Sequence, residues 1–312
     1  MKLFISDFTG ICNRLEALAF AYTIRDHFGH EIFLDWPELD SFAIRGTRQG
    51  KIRWFNRINY IKVRDCDDAL FQSLGCYRNI SLRGLCGGPE EGLKKSFNRL
   101  ARDIRLQPRL AESIRDLFLQ TRRDGRNVVG VHIRRGDFQG AESNVYDIRG
   151  RRYPAVPDWW WQWAMRRIKA LHPDVLFYIS GTGDPASHAW LKDEFELIGL
   201  REKSPYDYKG SSHASMVNPV ADLFALACCP VILATPISSF SHWAANILGP
   251  PSQVLMPKAL TEQADPQMVK AGPRCLRLSA WISMCRTGEG TLPVKTDSDL
   301  PEMNFANVDW LE

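Results

Sequence analysis

The sequence holds no C-x-x-C pair, no apolar run long enough to span a bilayer, no internal repeat and little net charge. Each absence removes a class of function. The eight cysteines (Cys12, Cys66, Cys76, Cys86, Cys228, Cys229, Cys275 and Cys285) lack zinc-ligand spacing. A chain of 312 residues can bury a substantial core without disulfide staples, so reduced, mostly buried thiols are expected. The opening MKLFIS meets Asp7 before a secretory apolar stretch can form, and no window approaches the roughly 20 apolar residues of a spanning helix. The expected location is cytoplasmic, peripheral to a membrane at most, with no integral membrane segment. A formal charge of +4, from 40 basic and 36 acidic residues, is too mild for a nucleic-acid partner and suits an anionic small molecule.

What is present is an alternation of strand and helix signals. Residues 2–6 read as a strand. Gly10-Ile11-Cys12-Asn13-Arg14 turns into a helix with Leu15, Leu18, Ala19, Tyr22 and Ile24 at roughly helical spacing, and Gly29 stops it. Glu31 to Trp36 supply a second strand ending at Pro37, which completes a β-α-β unit. Residues 38–100 are mixed, with Gly-rich turns at 84–92, and suit lid or acceptor-contacting loops. A helix over 108–121 leads through Arg122-Arg123-Asp124-Gly125-Arg126 into an apolar strand. Composition shifts abruptly there, so a domain boundary is expected between 126 and 127. An exposed insert at 139–153 is followed by helix 157–171, strand 175–180, helix 185–198, helix 219–228, strand 231–235 and helix 238–248. The alternation predicts a doubly wound α/β domain over 127–257, with an irregular tail over 258–312.

Chemistry concentrates in VVGVHIRRGDF, residues 128–138. An apolar strand of this kind suits a sheet covered on both faces, and it delivers His132, Arg134, Arg135 and Asp137 to the carboxyl edge, where open α/β sheets bind ligands. A guanidinium presents a planar fork of donors that matches two phosphate oxygens at once. The structural alternative is an Arg–Asp salt bridge closing the Gly136 turn. In VILATPISSFSHWAANIL a second strand ends at Thr235, and Ser238 and Ser239 open a helix whose free N–H groups form an anion site. Asp222, early in another helix, either complements the helix dipole or accepts hydrogen bonds from a nucleoside. The D-x-D at Asp65-Cys66-Asp67 lies outside a strand-end context and reads as a solvated turn, so no metal site is expected. Trp159, Trp160, Trp161 and Trp163 crowd one helix start, where most must pack internally. His213 and His242 read as structural.

Three blocks, GICNRLEALAFAYTIRDHFGHEIFLDW, GVHIRRGDF and ADLFALACCPVILATPISSFSHWA, resemble in order and separation the motifs of GDP-fucose-dependent fucosyltransferases. The pattern is similar to the α1,2/α1,6 and protein-O-fucosyltransferase superfamily, nodulation fucosyltransferases included. The resemblance implies a GT-B architecture, two Rossmann-like domains facing a cleft, with an acceptor-side domain over 1–126, a GDP-binding domain over 127–257 and a tail packing back across both. It implies an inverting transfer of fucose from GDP-fucose to a saccharide or glycoconjugate hydroxyl, with no cofactor and no metal. Carried over by position, Arg134 grips the β-phosphate and stabilises leaving GDP, and His132 lines the same pocket. Ser238, Ser239 and Phe240 close over the phosphates, Asp222 holds the nucleoside, and Gly10, Asn13 and Arg14 face the cleft from the first domain. Glu16 and Asp137 are candidate bases by location. Ile11-Cys12 stand where many relatives have a second glycine, and Glu16 departs from the neighbours typical of several branches; both bear on the acceptor. The alternatives are another GDP-sugar donor on the same fold, or a noncatalytic nucleotide-binding protein.

Overall fold

The computed structural model describes residues 1–52, 60–63, 66–83, 90–134, 145–148, 151–154, 158–181, 189–200, 217–235, 238–248 and 252–255. The chain divides into two compact units, the first running from Met1 to Pro108 and the second starting at Arg109.

In the first unit, β1 (Lys2–Ser6) buries Leu3 and Ile5 completely. Helix α1 (Ile11–Phe28) follows and is buried on every side from Ala17 to Ile24, with Thr23 the one polar residue in that stretch, the pattern of an internal helix. Gly29 ends it at φ 74°, with its N–H donating to the Arg25 carbonyl at 2.8 Å. That left-handed cap is where a glycine is required. The chain returns through β2 (Glu31–Asp35), parallel to β1. The remaining elements are β3 (Phe42–Ile44), β4 (Thr47–Gln49), β5 (Ile61–Val63), α2 (Asp68–Ser73), β6 (Asn79–Leu82), α3 (Glu90–Asp103) and β7 (Ile104–Leu106). A parallel sheet forms in the order β4-β2-β1-β6-β5, and β3 pairs antiparallel with β7. Helix α3 lies against α1, where Thr23 and Ser96 hydroxyls meet at 3.2 Å.

Apart from its first residue, α4 (Pro108–Arg123) belongs to the second unit, and β8 (Val128–Ile133) follows it with all six residues buried. Then come β9 (Val145–Ile148), β10 (Arg151–Pro154), α5 (Asp158–Leu171), β11 (Leu176–Gly181), α6 (Ala189–Glu194), β12 (Leu197–Ile198), α7 (Pro219–Ala227), β13 (Val231–Ala234), α8 (Ser239–Asn246) and β14 (Gln253–Leu255). Its main sheet is parallel in the order β12-β11-β8-β13-β14. Counting β8 as first, this is the 3-2-1-4-5 order of a doubly wound domain, and the order reverses between β8 and β13.

Gly130, at the middle of β8, explains how closely α7 approaches. A Cβ there would lie 2.6 Å from Leu226 Cδ1 and 3.0 Å from Cys229 Cβ. Trp160 and Trp161 pack into the apolar core with Val129, Val131, Phe177 and Val231.

Two expectations are refined. The helix expected over 185–198 is described only as Ala189–Glu194. Burying Phe195 against Phe177 (ring centroids 5.4 Å apart) turns the chain so that Leu197 pairs with Phe177 as an edge strand. Within the insert over 139–153, β9 and β10 pair antiparallel. Asp67 caps α2 by accepting from the Leu70 N–H at 2.7 Å, while Asp65, its partner in the D-x-D, falls outside the described residues. Among the described residues no helix is long and apolar enough to cross a membrane.

Candidate active site

The carboxyl ends of β8 and β13 meet at the switch point of the second sheet, and one hydroxyl joins them. Thr235 Oγ1 donates to the His132 carbonyl at 2.7 Å and accepts from the Arg134 N–H at 3.0 Å. The Thr235 N–H reaches the same carbonyl at 3.2 Å. The strand ladder is thereby extended by one rung, which fixes where the backbone of Arg134 leaves the sheet.

His132 is buried beneath this rung. Its Nδ1 lies 2.6 Å from Ser241 Oγ, and its ring stacks on Phe240 at 5.2 Å and 14°. Burial and the neighbouring Arg134 charge push the imidazole down to about 3, so it is neutral at any working pH. His132 is thus a fixed, uncharged shelf, and the positive charge beside it belongs to Arg134.

Helix α8 begins at the same edge. Ser238 occupies its N-cap position without a side-chain cap bond, and its buried Oγ has no hydrogen-bond partner among the described residues. The N–H groups of the first turn have no partner within the helix either. A buried, unpartnered hydroxyl at the positive end of a helix favours an anion.

Asp222 supports the adjoining strand end. Its carboxylate accepts from Tyr178 Oη and Ser180 Oγ, each at 2.9 Å, and from the Gly181 backbone. Ser180 is the ladder partner of His132, so Asp222 steadies the strand beside the candidate site. Burial pushes its carboxyl up to about 7, against the pull of those three donors. Since the folded value exceeds the unfolded one, the group adds stability below about pH 4 and loses it as pH rises through about 7. At about 1.4 kcal/mol per pKa unit, the effect amounts to a few kcal/mol. Asp222→Asn is expected to flatten this slope. Urea midpoints of wild type and variant, compared between about pH 4 and about pH 8, should therefore diverge; parallel curves would show that Asp222 does not titrate this way.

The other sequence-predicted residues lie in the first unit. Gly10 precedes α1 at φ −57°, with open space where a Cβ would stand. Asn13 Nδ2 donates to Thr9 Oγ1 at 3.1 Å, and Glu16 is half-buried along α1. Arg14 is buried and held bidentately by Glu38, at 2.8 Å to Oε2 and 2.5 Å to Oε1. Its guanidinium is therefore committed to the protein. Arg135 and Asp137 fall outside the described residues.

Structure thus brings together His132, Arg134, Ser238 and Phe240 with Thr235 and Ser241, and places Asp222 one strand away. Thr235 was legible only as a strand end. Ser241 carried the signal of a small polar residue two positions after the Ser238-Ser239 pair, and Glu38 that of an acid just after Trp36-Pro37. No group of three metal-ligating side chains occurs among the described residues.

The glycosyl transferase family 11 model matches residues 39–282. Among curated proteins, none matches the chain. Several solved structures do. The fucosyltransferase NodZ from Bradyrhizobium is 16% identical, with 79% of this chain and 93% of that one covered, at a TM-score of 0.47. A NodZ α-1,6-fucosyltransferase soaked with GDP-fucose is 17% identical over 82% and 94%, at 0.48. POFUT1 in complex with GDP is 10% identical over 81% and 96%, at 0.50. The last likeness carries the fold: α/β, with two Rossmann-like parallel-sheet units of the GT-B type, as the sequence predicts.

Proposed function

The chain belongs to glycosyl transferase family 11, and from that premise we propose that it transfers fucose from GDP-fucose to a hydroxyl of a saccharide or glycoconjugate, with inversion at the anomeric carbon. The observation that carries this reading is the joined edge of β8 and β13, where Arg134 and the N-terminus of α8 flank the switch point. Breaking the bond between sugar C1 and the phosphate oxygen leaves negative charge on GDP while the sugar gains oxocarbenium character. Donors already in place for that charge lower the barrier.

In this reading Arg134 takes the diphosphate, the amides opening α8 and the hydroxyls of Ser238 and Ser239 take further phosphate oxygens, and the His132–Phe240 stack walls the pocket. Asp222 acts on the nucleoside through the β11 end that it steadies. Gly10, Asn13 and Arg14, at the opening of α1, are the first unit's candidate contacts, with Arg14 held by Glu38. With a fixed guanidinium and a helix dipole supplying positive charge, the step needs neither a metal nor a cofactor. A cytoplasmic location also belongs to this reading, supported by the thiols of Cys66, Cys76, Cys228 and Cys229, which form no disulfide.

Thermal-shift comparison of GDP, UDP, ADP and CMP tests the donor. A ligand at a hundred times its Kd adds about 2.7 kcal/mol of stability, so GDP is expected to raise the melting temperature above that seen with the others. Stabilisation by UDP and not GDP overturns the assignment. Fucose transfer from GDP-fucose to a glycan panel in the presence of EDTA then tests turnover and metal independence together.

A further inference from the structure

Arg134 leaves the second sheet from a peptide unit that is held on both sides. On the β11 side, the Ile133 carbonyl lies so close to Gly181 that a Cβ there would stand 2.2 Å from the oxygen. Gly181 is the ladder partner of Ile133 and donates its N–H to the Asp222 carboxylate, so β11 fixes this flank. On the β13 side, the Arg134 N–H donates to Thr235 Oγ1 at 3.0 Å, and that hydroxyl donates in turn to the His132 carbonyl at 2.7 Å.

A hydroxyl can donate and accept at one atom, and this one is engaged in both senses. Thr235 is buried, and its own N–H reaches the same His132 carbonyl at 3.2 Å. Backbone and side chain of one residue therefore converge on a single oxygen. The β-branch restricts χ1, which keeps Oγ1 aimed between the two strand ends. Removing that oxygen would leave the strands joined through the Thr235 N–H, yet take away the acceptor for the first N–H beyond β8. The side chain of Arg134 starts from that peptide, and a small rotation there is amplified along the stem to the guanidinium.

We propose that Thr235 is a positioning residue for the transfer, acting through the backbone of Arg134, with its hydroxyl spent on the two strand ends. The proposal rests on the transferase reading above, in which Arg134 stabilises the leaving diphosphate. A fork of donors contributes fully only when both nitrogens meet their oxygens in one plane, and a misplacement of about 1 Å can cost about 10²-fold in rate. Thr235 thus acts on rate through orientation. It adds no charge and moves no proton.

Thr235→Val keeps the shape and removes the hydroxyl, whereas Thr235→Ser keeps the hydroxyl. Each is made in wild type and in Arg134→Lys, and kcat is measured with GDP-fucose as donor, while calorimetric titration with GDP reports the folded, binding-competent fraction. Thr235→Val is expected to lower kcat about 10–10²-fold with acceptor KM and GDP stoichiometry unchanged, and Thr235→Ser to recover most of the rate. In the Arg134→Lys background no fork is left to aim, so Thr235→Val should change kcat by less than about twofold. Thr235→Ala repeats the comparison if the valine variant does not fold. Equal fold-losses in both backgrounds overturn the proposal, because a merely structural effect multiplies, and so does wild-type kcat in Thr235→Val. A wild-type protein that transfers no fucose overturns the transferase reading and this role with it, whereas an active wild type with multiplying losses overturns the role alone.

Discussion

Lysine in place of Arg134 is expected to lower fucosyl transfer by about 10²–10³-fold, the cost of removing one donor from charge developing in a transition state, or about 2.7–4 kcal/mol. The charge is conserved, so the loss would come from geometry. An ammonium is a point donor on a flexible stem, whereas the guanidinium fork meets two oxygens in one plane. The backbone of Arg134 is set by Thr235, so the stem departs from a fixed origin and lysine has little freedom to compensate. Steady-state kinetics with GDP-fucose, alongside calorimetry with GDP, checks this. The fall should appear in kcat more than in GDP affinity, because the interaction strengthens as the leaving group gains charge. Near wild-type turnover would remove Arg134 from the role.

The largest stability effect is expected at Glu38. Glu38→Ala strands the Arg14 guanidinium in the interior, and breaking a buried pair from one side costs about 3–5 kcal/mol. Asp7, 3.4 Å from Arg14 on the wetter side, places the expected value toward the lower end. Removing both charges at once, as Arg14→Met with Glu38→Leu, should restore most of the loss, because well-packed apolar residues often replace a buried pair at no cost. Urea unfolding followed by circular dichroism compares the three proteins. If Glu38→Ala unfolds with wild type, the pair is dispensable.

Much of the second unit was legible because its strands are buried on both faces. VVGVHI and VILA read as continuous apolar runs, and the residues after them reach the carboxyl edge wherever such a sheet forms. His132 and Arg134 were visible for that reason. What the sequence could not display was pairing between distant positions. Thr235 joins residues 101 and 103 positions away, and Asp222 accepts from Tyr178 and Ser180, more than 40 positions earlier. Nothing local distinguishes such an Asp from one that complements a helix dipole. Arg14 shows the converse: its motif position suggested a ligand contact, while its charge is committed to Glu38, which lies beyond α1 and β2. The short α6 was hidden because local helix pattern does not register the pull of Phe195 into the core or of Leu197 onto β11.

The missing side chain at Gly130 has a further consequence for how the enzyme spends binding energy. Leu226 and Cys229 fill the space beside the middle of β8, so the strand that launches Arg134 is clamped between two neighbouring strands and a helix. Its amides should be among the slowest in the chain to exchange with solvent, opening only with the whole unit. Little conformational freedom is then left to freeze when the donor arrives. The entropy of ordering the arginine's anchor was settled once, during folding, and does not recur with every catalytic cycle.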